Sequence, residues 1–119
     1  MIIRGIEVNF DFLDADDVER FEEEAKKVKE DCEIKNKKEM TYAQIIREEC
    51  KVIDNFFDNV FGNGVSFKIF RGKNNLEEHI KAFGDIVNEK VEQQKRLQNT
   101  YNRYQPSREQ RRQNRGNKI

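Results

Sequence analysis

Few side chains in this sequence are of a type and spacing that could do chemistry. The single histidine, His79, stands between Glu78 and Ile80, and a lone histidine in a polar helical stretch is expected on the surface. Cys32 and Cys50 form no metal or redox motif and read as two reduced thiols on helix faces of a cytosolic protein. Asp14, Asp16 and Asp17 cluster as calcium ligands do, but the glycine and the closing glutamate of such a loop are missing. Gly62-Asn63-Gly64 and Gly72-Lys73 are turn signals without the spacing of a phosphate loop. Paired-carboxylate catalysis needs acids held in a cleft with separated pKa values. Here the acids spread along solvated helix faces, and no nucleophile, base and orienting group come together. The sequence therefore predicts a non-enzymatic protein with no catalytic, cofactor-binding or metal-binding residues.

The other chemical signal is charge. Arg108, Arg111, Arg112 and Arg115 form a basic tail that could contact phosphates, with Tyr101 and Tyr104 stacking on bases. A solubilising tail, or one that docks on an acidic protein, explains the same residues. The net charge is zero, but it hides a gradient. Residues 1–34 hold twelve acids against five bases, whereas residues 103–119 hold six bases against one acid. The acidic first third would repel nucleic acid, and the opposite ends could attract each other between copies in an oligomer.

These residues must be positioned by a small framework. At 119 residues the length fits one domain, and 39% charged against 35% apolar residues implies a thin core or one completed by another subunit. No apolar run is long enough for a membrane span, and the opening residues do not read as a signal peptide. Ile6, Val8, Phe10 and Phe12 alternate with Glu7, Asn9 and Asp11, the period of a half-buried strand. Gly5 punctuates the stretch, so residues 2–3 and 6–12 are expected to form two arms of a hairpin.

Three principal helices follow. The first starts near Asp14 or Asp16 and carries Val18, Phe21, Ala25, Val28 and Cys32 as one apolar stripe, with Glu22–Lys26 and Glu23–Lys27 four apart. It fades into a polar loop at residues 35–38. The second opens on a capping box, Thr41 with Gln44, and shows a wide apolar face of Tyr42, Ile45, Ile46, Ile53, Phe56, Phe57, Val60 and Phe61. Gly62 and Gly64 end it. Residues 65–70 fit a strand or a short helix, and the shared face of Val65, Ile69 and Phe70 favours the helix. The third starts after the Asn75 cap, with Leu76, Ile80, Phe83 and Val87 as its stripe and Ala82, Ile86 and Val91 flanking it. Beyond Glu89 this helix is polar and is expected to be exposed, or ordered only against a partner. Pro106 stops it, and residues 105–119 are expected to be a disordered basic tail. The predicted fold is thus mainly α, with a short N-terminal β-strand or hairpin, in a single domain over residues 1–104.

Three stretches, in order, carry a resemblance. They are Ile3-x-Gly5-Ile6-Glu7-Val8-Asn9-Phe10-Asp11-Phe12-x-Asp14-Ala15-Asp16, then Ile53-x-x-Phe56-Phe57-Asp58-x-Val60-Phe61-Gly62-x-Gly64, then Lys68-Ile69-Phe70-x-Gly72-Lys73-x-Asn75-Leu76. Together they resemble the tail assembly chaperones of long, non-contractile-tailed phages and prophages of Gram-positive bacteria. The resemblance covers about residues 3–90.

It implies a protein that binds the tape measure protein and keeps it soluble during tail morphogenesis in the host cell cytoplasm, and that is shed before the virion matures. It also implies a frameshifted longer form that recruits the tail tube protein. A holdase must combine exposed apolar surface with its own solubility, and many charges around a few large apolar faces achieve that. Phe56, Phe57, Phe61, Phe67, Phe70 and Phe83 are the candidate partner-binding anchors, with burial in the core as the competing role of each. The alternatives are a small helical protein that binds nucleic acid through Arg108, Arg111, Arg112 and Arg115, or a structural head–tail or tail-tube component. Homo-oligomerisation is compatible with all three.

Overall fold

The computed structural model describes residues 1–32 and 39–104. The polar loop expected at residues 35–38 and the tail expected from residue 105 onward lie outside the described residues. The architecture is mainly helical behind a small N-terminal hairpin. β1 (Ile2–Ile3) pairs antiparallel with β2 (Ile6–Glu7), with Ile2 opposite Glu7 and Ile3 opposite Ile6. Arg4 and Gly5 make the turn, both at positive φ (47° and 84°), which glycine adopts freely and arginine rarely. The ladder is shorter than the alternation suggests: Val8 still exchanges backbone bonds with Met1, at 2.8 and 3.1 Å, but residues 9–12 pair with no strand among the described residues. Their alternation still holds: Val8, Phe10 and Phe12 are buried, while Asn9 and Asp11 face solvent. The arm is secured instead by the Phe12 amide, which donates to Gln93 Oε1 at 2.9 Å.

Helix α1 (Ala15–Cys32) is capped by Asp14, whose Oδ1 accepts from the amides of Asp16 and Asp17. Its stripe faces α2, with Phe21 fully inside and Ala25 and Val28 at the margin. Lys27 pairs with Glu24 at 2.9 Å, three residues away, rather than with Glu23. Helix α2 (Tyr42–Phe61) carries the expected capping box: Thr41 Oγ1 accepts from the Gln44 amide, and Gln44 Oε1 accepts from the Thr41 amide. Tyr42 departs from the expected face and stands exposed, because it sits at the first turn, before α2 reaches the rest of the core. Gly62 and Gly64, both at positive φ, turn the chain into the short helix α3 (Val65–Phe70). Asp58 binds that corner twice, accepting from the Ser66 amide and hydroxyl at 2.9 and 3.0 Å. Helix α4 (Leu76–Tyr104) begins at Asn75, whose Oδ1 accepts from the Glu78 amide.

The core is aromatic. Phe10, Phe12, Phe21, Phe56, Phe57, Phe61, Phe70 and Phe83 form one connected network that branches at Phe56 and Phe57, with touching ring centroids 4.7–6.2 Å apart and mostly edge-to-face. Ile3, Ile53, Val60, Val65, Ala82 and Ile86 close around it.

Helix α4 presents the expected stripe to this core only in part, through half-buried Leu76 and Phe83. Its buried residues are His79, Ala82, Ile86 and Gln93, whereas Ile80, Val87 and Val91 stand exposed. The two polar members are acceptable inside because each finds its hydrogen-bond partners there. Within the same helix, a Cβ built on Gly84 would meet nothing within 4 Å. Gly84→Ala should therefore stabilise the isolated chain by about 0.5–1 kcal/mol through helix propensity alone. Thermal or urea denaturation measures this directly; a destabilised variant would mean that the space around Gly84 is filled.

Candidate functional site

The six phenylalanines proposed as partner anchors separate cleanly. Phe56, Phe57, Phe61 and Phe70 are buried, and Phe83 packs half-buried with its ring 5.0 Å from Phe56. In the single chain these five serve the core. Phe67 alone of the six points outward, at 68% exposure, on the solvent side of α3. The basic-tail residues Arg108, Arg111, Arg112 and Arg115 lie outside the described residues.

His79 corrects the expectation of a surface histidine: it is fully buried. Its ring stacks on Phe70, with centroids 3.7 Å apart and planes within 10°. Nδ1 lies 2.6 Å from the Asn75 carbonyl, and since a carbonyl only accepts, Nδ1 carries a proton. Nε2 lies 2.9 Å from Asp54 Oδ1. One further proton lies between ring and carboxyl, and the pair joins α4 to α2. Burial pushes the Asp54 carboxyl above the usual carboxylate range, against the opposing pull of His79. Both ring nitrogens are thus committed to the fold.

Cys50, one turn before Asp54 on α2, is also buried, and burial, followed by the charges of Asp54 and Glu49, pushes its thiol up, the wrong direction for a nucleophile. Among the described residues no group of three or more His, Cys, Asp or Glu side chains gathers as a metal site. No helix among them is long and apolar enough to cross a membrane.

The surface with unexplained apolar content runs along α4. Ile80, Val87, Val91, Leu97, Tyr101 and Tyr104 are all exposed, between 41% and 73%. The body of the protein covers the other flank of α4 only in its first two-thirds. Arg4 holds the N-terminal part, bonding Glu78 at 2.7 Å and Asp85 at 3.3 Å, and so holds Glu78 below its ordinary pKa. Gln93 holds the Phe12 amide, and Arg96 lies 3.9 Å from Asp11. Residues 97–104 then continue as exposed helix whose side-chain bonds among the described residues are internal to α4, such as Gln98 to Asn102 and Thr100 to the Arg96 carbonyl.

Sequence reasoning found the exposed, polar second half of α4 but assigned Ile80 and Val87 to the core. Of the second stripe, at residues 79, 82, 86 and 93, Ala82 and Ile86 are legible as flanking residues; the missed part is its two polar members, His79 and Gln93.

Residues 4–115 match a family described as a family of unknown function, DUF6673. No curated protein and no solved structure matches the chain.

Proposed function

The chain belongs to the DUF6673 family, and we propose that it is a non-enzymatic binding protein, a phage tail assembly chaperone whose client is the tape measure protein. The observation that carries this reading is the open flank of α4, a helix whose apolar residues continue past the folded body and stay exposed among the described residues. A flank of this kind suits an amphipathic helix, because side chains at spacings of three and four interdigitate with those of a second helix. A tape measure protein, a long helical chain with many apolar segments, offers many such stretches. The charged remainder of the surface keeps the complex soluble, and phenylalanines locked in the core leave the binding work to α4 and Phe67. The setting is the host cell cytoplasm, and the chaperone leaves before the virion is complete. A longer frameshifted form would link the complex to the tail tube protein.

Co-expression with the tape measure protein of the same phage tests this. The client should stay soluble and co-purify with the wild-type chain. A Val87→Asp/Leu97→Asp variant should remain folded, since both positions are exposed, yet lose the client. Equal insolubility of the client with and without the chain would sink the reading. A second reading, nucleic-acid contact, rests on Lys95, Arg96 and Arg103 beside exposed Tyr101 and Tyr104. It requires DNA binding that weakens steeply with salt and with loss of residues 105–119. A structural tail component would instead be found in purified virions.

A further inference from the structure

We infer that a second copy of this chain occupies the open flank of α4, in an antiparallel pairing of the two α4 helices. This rests on the same reading of α4 as a helix-binding surface and adds what covers it before a client arrives. A heptad frame starting at Ile80 places Ile80, Val87, Gln94 and Tyr101 at one core position of the repeat, and Phe83, Lys90, Leu97 and Tyr104 at the other. Six of these eight are apolar or aromatic. Five of those six are exposed in the single chain, and Phe83 is half-buried.

Direction follows from what faces what. Antiparallel pairing about residue 92 sets Ile80 against Tyr104, Phe83 against Tyr101 and Val87 against Leu97 of the second copy. The two polar members, Lys90 and Gln94, then meet each other. Parallel pairing would instead set Lys90 against Lys90, two like charges, each ammonium lying 5.5 Å over the Phe21 ring of its own chain at the edge of the seam.

The charge along α4 points the same way. Residues 76–92 hold five acids (Glu77, Glu78, Asp85, Glu89, Glu92) against Lys81 and Lys90, and residues 93–104 hold Lys95, Arg96 and Arg103 with no acid. Antiparallel pairing lays each basic half along the partner's acidic half, which favours the encounter and fixes the register. Gly84 supplies a third, independent observation. It weakens a helix interior, and a side chain there would meet nothing in the single chain. In the pair it lies beside the Phe83–Tyr101 layer and leaves room for that tyrosine ring. The exposed helix of residues 97–104 gains contacts from the first turns of the partner's α4.

Thiol cross-linking of the full chain tests direction and register together. In a Cys32→Ser background, Val87→Cys and Leu97→Cys proteins mixed under oxidation should form disulfide dimers, and neither should do so alone. Light scattering should give twice the chain mass at high micromolar concentration. Leu97→Asp should weaken the dimer by roughly 100-fold or more while leaving the helical circular dichroism unchanged. Val87→Cys linking to itself would mean parallel pairing and overturn the proposal. So would a monomer at the highest attainable concentration, whether its seam is bare or covered by residues 105–119 of the same chain. A dimer that fails to capture the tape measure protein would leave this inference standing and sink the chaperone reading. Client capture by a monomeric chain would do the reverse.

Discussion

Phe57→Ala is expected to lower the Tm of the chain by about 12 °C or more. Phe57 is fully buried at the centre of α2, and its ring meets Phe56, Phe61 and Phe70 at 5.5–5.7 Å. Truncating such a ring costs about 3–5 kcal/mol, the transfer free energy of the side chain plus the cavity it leaves. A domain of this size commands only about 5–15 kcal/mol in total. Each kcal/mol lowers Tm by about 4–8 °C at this length, so the drop should be large and easily seen by thermal denaturation. Phe67→Ala provides the contrast, because Phe67 is exposed on α3 and its loss should change stability by no more than about 0.5 kcal/mol. Equal losses at both positions would contradict the separation of core from surface described above.

The second large effect is expected at the bond between α2 and α4. His79→Ala removes the stack on Phe70 and leaves Asp54 without its partner, while the Asn75 carbonyl keeps the backbone amide of residue 79 at 3.1 Å. A cavity and one carboxyl left without its partner together should cost about 2 kcal/mol or more. Asp54→Asn tests the electrostatic part separately. Asp54 holds its proton to higher pH in the folded chain than in the unfolded one, because burial disfavours the carboxylate. Its stabilising contribution is therefore fully present below the ordinary aspartate range and is lost as pH rises through the raised folded-state value. An asparagine keeps the neutral form's hydrogen-bonding ability at all pH values. Measured by urea denaturation from acid to neutral pH, the variant should gain on the wild type as pH rises across that window. Parallel stability curves would show that Asp54 is as well solvated folded as unfolded.

Much of this fold was legible because its signals are local. Thr41 and Gln44 cap α2 through neighbours three residues apart, Asn75 caps α4 in the same way, and Gly62 and Gly64 take the positive φ that ends a helix. The alternation of Val8, Phe10 and Phe12 correctly gave the buried side of the N-terminal arm. It could not give the length of the ladder, since alternation reports which face is covered and not whether a strand lies alongside.

The face of α4 was misplaced for a related reason. Besides local partners four residues away, His79 and Gln93 depend for burial on Asp54, 25 residues away, and the Phe12 amide, 81 residues away. Ile80 and Val87 looked like the core stripe because they are apolar at helical spacing. Periodicity marks both stripes of such a helix and does not say which one its own chain will cover. The surface most relevant to binding was therefore visible as residues but not as a surface.

The central claim is that the open flank of α4 is where this protein holds another chain. Hydrogen–deuterium exchange along α4, with and without a soluble segment of the tape measure protein, tests it most directly. Residues 94–104 are exposed and, among the described residues, are tied to the folded body by the Arg96–Asp11 ion pair, so their amides should exchange fast in the dilute chain and slow sharply when the segment is added. Protection that appears on α1 or α2 while residues 94–104 stay unprotected would contradict the account and move the binding surface elsewhere on the molecule.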